Sequence, residues 1–334
     1  TIIGETAMID RRQLLAGSAV LAAAASSPAA SAITQEALPS LKGKSILITG
    51  CSSGFGYHGA LHYARLGAKV FATMRNLPRP EADELRAVAA GEALDITVLA
   101  LDVLSEEQVN RAVAEAERLA GGALDVVVNN AGIGMTGPVE VQDLAATQLA
   151  FDTNVFGPQR VLRAALPAMR ARKSGLIVNI SSQLGRVIAP AGGHYSATKF
   201  ALEALSEQLA YELAPHGVEV AIIEPGGYPT KVWVNRNRYN TELKARIDAA
   251  RKAGYGALVE RMGTETGAGR TADVLDVPRA IAEIAALPAG RRPLRRAVHP
   301  GPKPQEAINR VAAATQMEWL AQSPFGPWVR AVHD

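Results

Sequence analysis

Tyr195 and Lys199 stand four residues apart in the string YSATK, and Ser182 precedes the tyrosine by thirteen residues. A tyrosine phenol can protonate a carbonyl oxygen as hydride reaches the carbon, and as phenolate it can take the proton of an alcohol in the reverse direction. The free phenol titrates near pH 10, so work near neutrality calls for a downward shift of roughly three units, about 4 kcal/mol of preference for phenolate. Lys199, one helical turn along and on the same face, is placed to supply the positive charge for that shift. Far upstream, TGCSSGFG from Thr49 to Gly56 ends an apolar run. Glycines in such a turn let an anion approach a helix N-terminus, where free N–H groups and the dipole favour the pyrophosphate of a dinucleotide. Tyr-x3-Lys and Gly-x-Gly strings each arise by chance. Together, in this order, they point to hydride transfer with a nicotinamide nucleotide.

The elements that must position these residues are visible as short β-rich runs alternating with helical patterns. SILIT, KVFAT, ITVLALDV, LDVVVNN, LIVNISS and VEVAIIEP are separated by helical stretches after the glycines, near 81–91, over 105–120, near 144–172 and after Tyr195. Continuous apolar strands interleaved with helices predict an α/β fold: a doubly wound parallel sheet covered on both faces, in one Rossmann-type domain over 44–300. From Gly226 to about Asp276 the pattern breaks into a long insert holding Trp233, Tyr239, Tyr255 and GTETGAG. Long connections that leave the C-terminal ends of strands are often lids, so this stretch reads as a substrate lid, with an amphipathic helix over 240–261 inside it. Arg291 to Val298, RRPLRRAV, reads as the last strand flanked by arginines rather than as a basic patch. Residues 301–334 form a C-terminal extension whose Trp319, Phe325 and Trp328 either pack on the core or meet another subunit.

From about Lys44 to Pro300, in at least six motifs and their order, the chain resembles the short-chain dehydrogenase/reductase family. TGCSSGFG, the IEPGG turn and RRPLRRAV are most similar to the branch acting on hydroxysteroids, retinoids and related apolar alcohols. The resemblance implies a nicotinamide cofactor held at Thr49, Gly50, Ser52, Ser53, Gly54, Phe55 and Gly56 of the glycine turn, with Asp102 and Val103 at the adenine. It places Asn130, Ala131 and Gly132 along the adenosine ribose, and Pro225, Gly226 and Thr230 at the nicotinamide carboxamide. Tyr228 departs from the small or branched residue commoner in that last stretch. Catalysis is implied for Tyr195 and Lys199, which also border the nicotinamide ribose, for Ser182 on the substrate oxygen, and for Asn154 in NVFG, which helps hold a water behind the lysine. Ser181 is one residue off the family spacing, and His194, adjacent to the tyrosine, reads as a wall of the substrate pocket.

The end of the second strand bears on cofactor choice. An acidic residue there binds the ribose 2′-hydroxyl, whereas an arginine accommodates a 2′-phosphate. KVFATMRN puts Met74 at the acidic position and Arg75 next, so NADP is expected, with NAD open if Arg75 only stacks on adenine. The reading is an NADP-dependent oxidoreductase interconverting a secondary alcohol and a ketone or aldehyde of apolar character. A reductase of small ketones or 3-oxoacyl groups is the competing enzyme, and a non-catalytic dinucleotide sensor the competing class.

Composition narrows the rest. The chain has 334 residues, 48% of them hydrophobic, enough for one large core, and its formal charge of +3 is spread along the sequence without a nucleic-acid footprint. Cys51 is the one cysteine, so no intrachain disulfide is possible, and it reads as a small residue in the glycine turn. His58 and His62 have a metal-pair spacing but no third ligand, so no metal is expected. Arg11-Arg12, the apolar run from Leu14 to Ala25 and Ala30-Ser31-Ala32 resemble a twin-arginine export signal over 1–32, followed by a linker over 33–43. That run falls short of the about 20 apolar residues a spanning helix needs, so no stable membrane span is expected. Family members pair through two long helices, here near 144–172 and 194–214, which implies a homodimer or homotetramer acting on a small molecule.

Overall fold

A computed structural model describes residues 39–334. The leader, its cleavage after Ala32 and most of the linker lie outside the described residues. The chain runs β1 (Ser45–Ile48), α1 (Gly54–Arg65), β2 (Lys69–Met74), α2 (Pro80–Gly91), β3 (Ile96–Ala100), α3 (Glu106–Ala120) and β4 (Val126–Asn129). It continues through α4 (Leu144–Phe151), α5 (Gly157–Arg172), β5 (Gly175–Ile180), α6 (Gly193–Leu213) and β6 (Val218–Pro225). The lid helices α7 (Val232–Arg246) and α8 (Ala249–Glu260) follow, then α9 (Asp276–Ala286), β7 (Arg295–Val298), α10 (Gln305–Leu320) and α11 (Gly326–His333).

All seven strands pair in parallel, in the order β3-β2-β1-β4-β5-β6-β7. This is the Rossmann-like arrangement expected from the alternation, in a single domain. The order reverses between β1 and β4, and ligands of such sheets bind in the crevice at the carboxyl ends of strands beside that reversal. Successive strand residues face opposite sides of the sheet. Ile46 and Ile48 of β1 therefore pack with α1 and α9 on one face, while Leu47 packs with α3 and α5 on the other. A third apolar cluster joins the lid to the segment after β4: Ile133, Met135 and Val141 meet Leu243, Ile247, Val259 and Met262.

Two helical expectations change in detail. The stretch 240–261 is not one helix: Ile247 takes an extended conformation (φ −69°, ψ 129°), and Asp248 restarts the chain as the N-cap of α8, its carboxylate accepting from Arg251 N–H at 2.9 Å. An aspartate that satisfies a free N–H at the first turn makes such a restart favourable. The stretch 144–172 is divided by a π-helical turn, Asp152–Phe156, which contains Asn154. No helix among the described residues is long and apolar enough to cross a membrane.

Candidate active site

The glycine turn joins β1 to α1 at the switch point. Gly50 and Gly54 have φ of +75° and +58°, values that L side chains adopt rarely. A Cβ on Gly56 would fall 2.5 Å from the Gly50 carbonyl oxygen and 2.6 Å from Asn130 Nδ2, so only glycine fits there. Thr49 and Asn130 stitch the ends of β1 and β4 together: Thr49 Oγ1 accepts from the N–H groups of Asn130 at 3.0 Å and Ala131 at 2.9 Å, and Asn130 Nδ2 donates to the Thr49 carbonyl at 2.8 Å. Ser52 and Ser53 immediately precede α1, and Phe55 is its second residue, meeting the Tyr228 ring edge-on at 5.2 Å.

The other expected cofactor residues lie at or just after the carboxyl ends of β6, β2 and β3. Thr230 lies against Gly54, its Cβ 3.5 Å from where a Gly54 Cβ would be. Pro225 ends β6, and Gly226 donates its N–H to the Val298 carbonyl at 3.1 Å. Tyr228, the departure from the family pattern, is buried between Phe55 and the His299 ring. Asp102 and Val103 follow β3, where Asp102 Oδ1 accepts from Leu104 N–H at 3.0 Å. Arg75 follows β2 and donates through Nη2 to the Tyr239 hydroxyl at 3.3 Å. Cys51 is buried in the turn, and burial pushes its thiol up to about 12, the wrong direction for a reactive thiolate.

Ser182, Tyr195 and Lys199 converge at the end of β5 and the start of α6. Ser182 is the second residue past the end of β5 at Ile180, and its Oγ accepts from Leu184 N–H at 3.1 Å at the head of a short 3₁₀ turn. Its hydroxyl pulls the Tyr195 phenol pKa down. The Ser181 hydroxyl instead faces Gly185, 2.6 Å from where a Cβ there would sit. Lys199 is buried, 5.8 Å from the Tyr195 ring centre, and its Nζ donates to the Ile180 carbonyl at 2.8 Å. Asn154 is buried in the π-helical turn and clamps the segment after β4. Its Oδ1 accepts from Ile133 N–H at 2.8 Å, while Nδ2 donates to the Ile133 carbonyl at 2.9 Å and to Thr198 Oγ1 at 3.0 Å. One residue thus ties β4 to the turn of α6 that carries Lys199.

The electrostatics differ from expectation at the tyrosine. The Tyr195 phenol lies above its ordinary value rather than below it, because burial outweighs the Ser182 hydroxyl and the Arg236 charge, which both pull it down. Burial also lowers Lys199 to about 8, against the opposing pull of Glu203. Both directions favour a protonated phenol beside an ammonium near neutrality. Sequence reasoning missed Arg236, which comes from the lid 41 positions beyond the tyrosine. It also missed a buried ion cluster behind Lys199. Arg295 of β7 meets Glu203 at 2.9 Å, Glu207 at 2.6 Å and Glu224 at 3.7 Å. That cluster extends into the C-terminal extension, where Asn309 donates to both oxygens of Glu224 and His333 meets Glu207 and Tyr211. Of the aromatic residues in the extension, Trp319 and Phe325 are exposed.

Residues 44–241 match the family described as short chain dehydrogenase. Retinol dehydrogenase 8 of Bos taurus is 42% identical over 193 residues, covering 56% of this chain and 60% of that protein, so less than two thirds of the relative is spanned. A short-chain dehydrogenase from Streptomyces avermitilis has the same fold, with a TM-score of 0.65 at 29% identity over 83% of this chain and 96% of that one. A metagenomic short-chain oxidoreductase in complex with NADP gives a TM-score of 0.61 at 25% identity, over 78% of this chain and 99% of that one. The match takes in the glycine turn, Asn154, Ser182, Tyr195 and Lys199 together, and on these grounds the chain belongs to the short-chain dehydrogenase family.

Proposed function

We propose that the protein is an NADP-dependent oxidoreductase that interconverts a secondary alcohol and its ketone, or an alcohol and its aldehyde, with Tyr195 as acid and base. The observation that carries this reading is the convergence of Ser182, Tyr195 and Lys199 beside a turn where no side chain fits at Gly56. NADP, when bound, supplies or accepts the hydride. The chain's own residues do the rest. Ser182 orients the substrate oxygen toward the phenol, and Tyr195 gives that oxygen its proton. The Lys199 ammonium stabilises the phenolate left behind, and Asn154 fixes the backbone against which Lys199 is held.

The residues fit the cofactor assigned to them. The Gly50–Gly56 turn opens α1 at the switch point; Met74 stands where an NAD-specific site would carry a carboxylate, and Arg75 beside it offers a guanidinium. The solved relative in complex with NADP supports the same assignment. An apolar substrate body is supported by the retinol dehydrogenase likeness. The test is to follow NADPH loss and identify products with a panel of apolar and polar ketones. Reduction of the apolar members supports the reading, while nucleotide binding without turnover would mark a sensor.

Assembly through α5 and α6 is part of the same reading. Phe156, Phe200 and Leu205 are exposed apolar groups in this region, and light scattering on purified protein tests for the dimer or tetramer. Export through Arg11-Arg12 is tested by cell fractionation with the size of the recovered chain.

A further inference from the structure

Arg236 is a second cation at the site, and its place is fixed by geometry. A Cβ on Gly132 would lie 3.9 Å from Lys199 Nζ, and a Cβ on Gly134 would lie 3.4 Å from Arg236 Cδ. Residues two apart in a chain are at most about 7 Å apart. Lys199 and Arg236 therefore flank the same three-residue segment after β4. The lid helix is pinned along that segment, with Asn240 Oδ1 accepting from Thr136 N–H at 3.1 Å and Asn240 Nδ2 donating to Thr136 Oγ1 at 2.8 Å.

The guanidinium is held flat. It lies over the Trp233 ring, 4.2 Å from its centre, and Arg270 lies over that ring at 3.7 Å. The indole is itself anchored by Nε1 donating to the Tyr228 carbonyl at 2.7 Å. Stacking of this kind fixes the plane of an arginine while leaving its N–H edge free for an anion. Yet the edge is poorly used. Nη2 pairs with the Glu265 carboxylate, while Nε is buried with no partner. The pairing is lopsided: the Arg236 side chain is 14% exposed and that of Glu265 46%. Arg270 makes no ion pair among the described residues, so the lid wall carries more positive charge than its carboxylate balances.

We propose that Arg236 recognises a carboxylate of the substrate, binding it through Nε and Nη2 as a bidentate pair and displacing Glu265 toward solvent. The inference rests on the oxidoreductase reading and sharpens it: the substrate has an apolar body carrying the reacting alcohol or carbonyl and ends in an acid. Ile133, Met135 and Met262 pack along the same segment and give it an apolar border. Carboxylate and guanidinium match as planar forks, and a charge-assisted pair of bonds in a part-buried site is stronger than a neutral one. The exposed Glu265 is the group most easily exchanged, since it regains water when it leaves.

The probes are levulinate and longer keto acids of the same pattern, each beside its methyl ester, and the quantity read is the ratio of kcat/KM for acid over ester. Arg236→Gln is expected to lower this ratio by about 10- to 100-fold, and Glu265→Gln, which removes the competing carboxylate, to raise it. NADPH affinity is read in parallel by fluorescence. An unchanged ratio in both variants overturns the proposal, as does an equal loss on acid and ester in Arg236→Gln, which would mark support of the lid alone. Weakening of NADPH by the same factor would assign the guanidinium to the cofactor's phosphates instead. If wild-type protein reduces no ketone, the oxidoreductase reading fails; calorimetric binding of the keto acids to wild type and Arg236→Gln then still reports whether the anion site exists.

Discussion

Arg75→Gln tests the cofactor assignment. Arg75 is partly buried at the end of β2, with Nη2 on the Tyr239 hydroxyl at 3.3 Å and its carbonyl accepting from Arg79 Nη1 at 3.3 Å. One N–H of the fork is committed to a tyrosine and the remainder can face a 2′-phosphate. A hydrogen bond to a charged group contributes about 1.5 to 3 kcal/mol, and 1.4 kcal/mol is about tenfold in affinity. The variant should therefore bind NADPH about 10- to 150-fold more weakly. NADH lacks the phosphate and should lose far less. Tyr239→Phe removes only a neutral contact that orients the arginine, worth about 0.5 to 1.5 kcal/mol, so its effect should be smaller and in the same direction. Fluorescence titration of both nucleotides at two ionic strengths supplies the assay, since a phosphate contact weakens with salt. Equal losses for NADPH and NADH would refute the argument and leave Arg75 as a group stacked on adenine.

Three further outcomes follow from the geometry. Lys199 titrates at about 8 because burial disfavours its ammonium; the ammonium is present below that value and lost above it. With the phenol raised and protonated throughout, kcat/KM for reduction should be flat below pH 8 and fall above it, and a rate rising through pH 8 would contradict the assigned roles. Gly56→Ala drives a methyl group to 2.5 Å from the Gly50 carbonyl, so it should cost about 1 to 3 kcal/mol of stability and weaken NADPH binding, seen in thermal melts with and without nucleotide. Arg295→Met leaves the buried Glu203 and the part-buried Glu207 without their cation, a loss of about 3 to 5 kcal/mol that chemical denaturation would register.

The sheet was readable because each buried strand is a continuous apolar run and each crossover a helical pattern, which predicts parallel strands covered on both faces; their order is seen only in the fold. The tyrosine, lysine and serine were readable because their spacing is local: one helical turn, and one strand-to-helix connection. What escaped depends on contacts between distant positions. Arg75 and Tyr239 are 164 residues apart, and nothing in KVFATMRN announces a lid tyrosine against its arginine. Arg236 is one of several cations in WVNRNRYN, and only the run of α7 along the segment after β4 brings it to the site. Arg295 read as a flank of the last strand, yet it neutralises carboxylates of α6 and β6. The break at Ile247 was detectable, since Asp248 is an N-cap residue followed by Ala249 and Ala250. The phenol's upward shift was not, because burial cannot be weighed against a neighbouring charge before the pocket is built.

The central claim is that Tyr195 handles the proton, and its most direct measurement is NADPH-dependent reduction by Tyr195→Phe beside the wild type. Turnover is expected to fall by about 10² to 10⁴ while NADPH binding is retained. Wild-type-like turnover in that variant would contradict the claim.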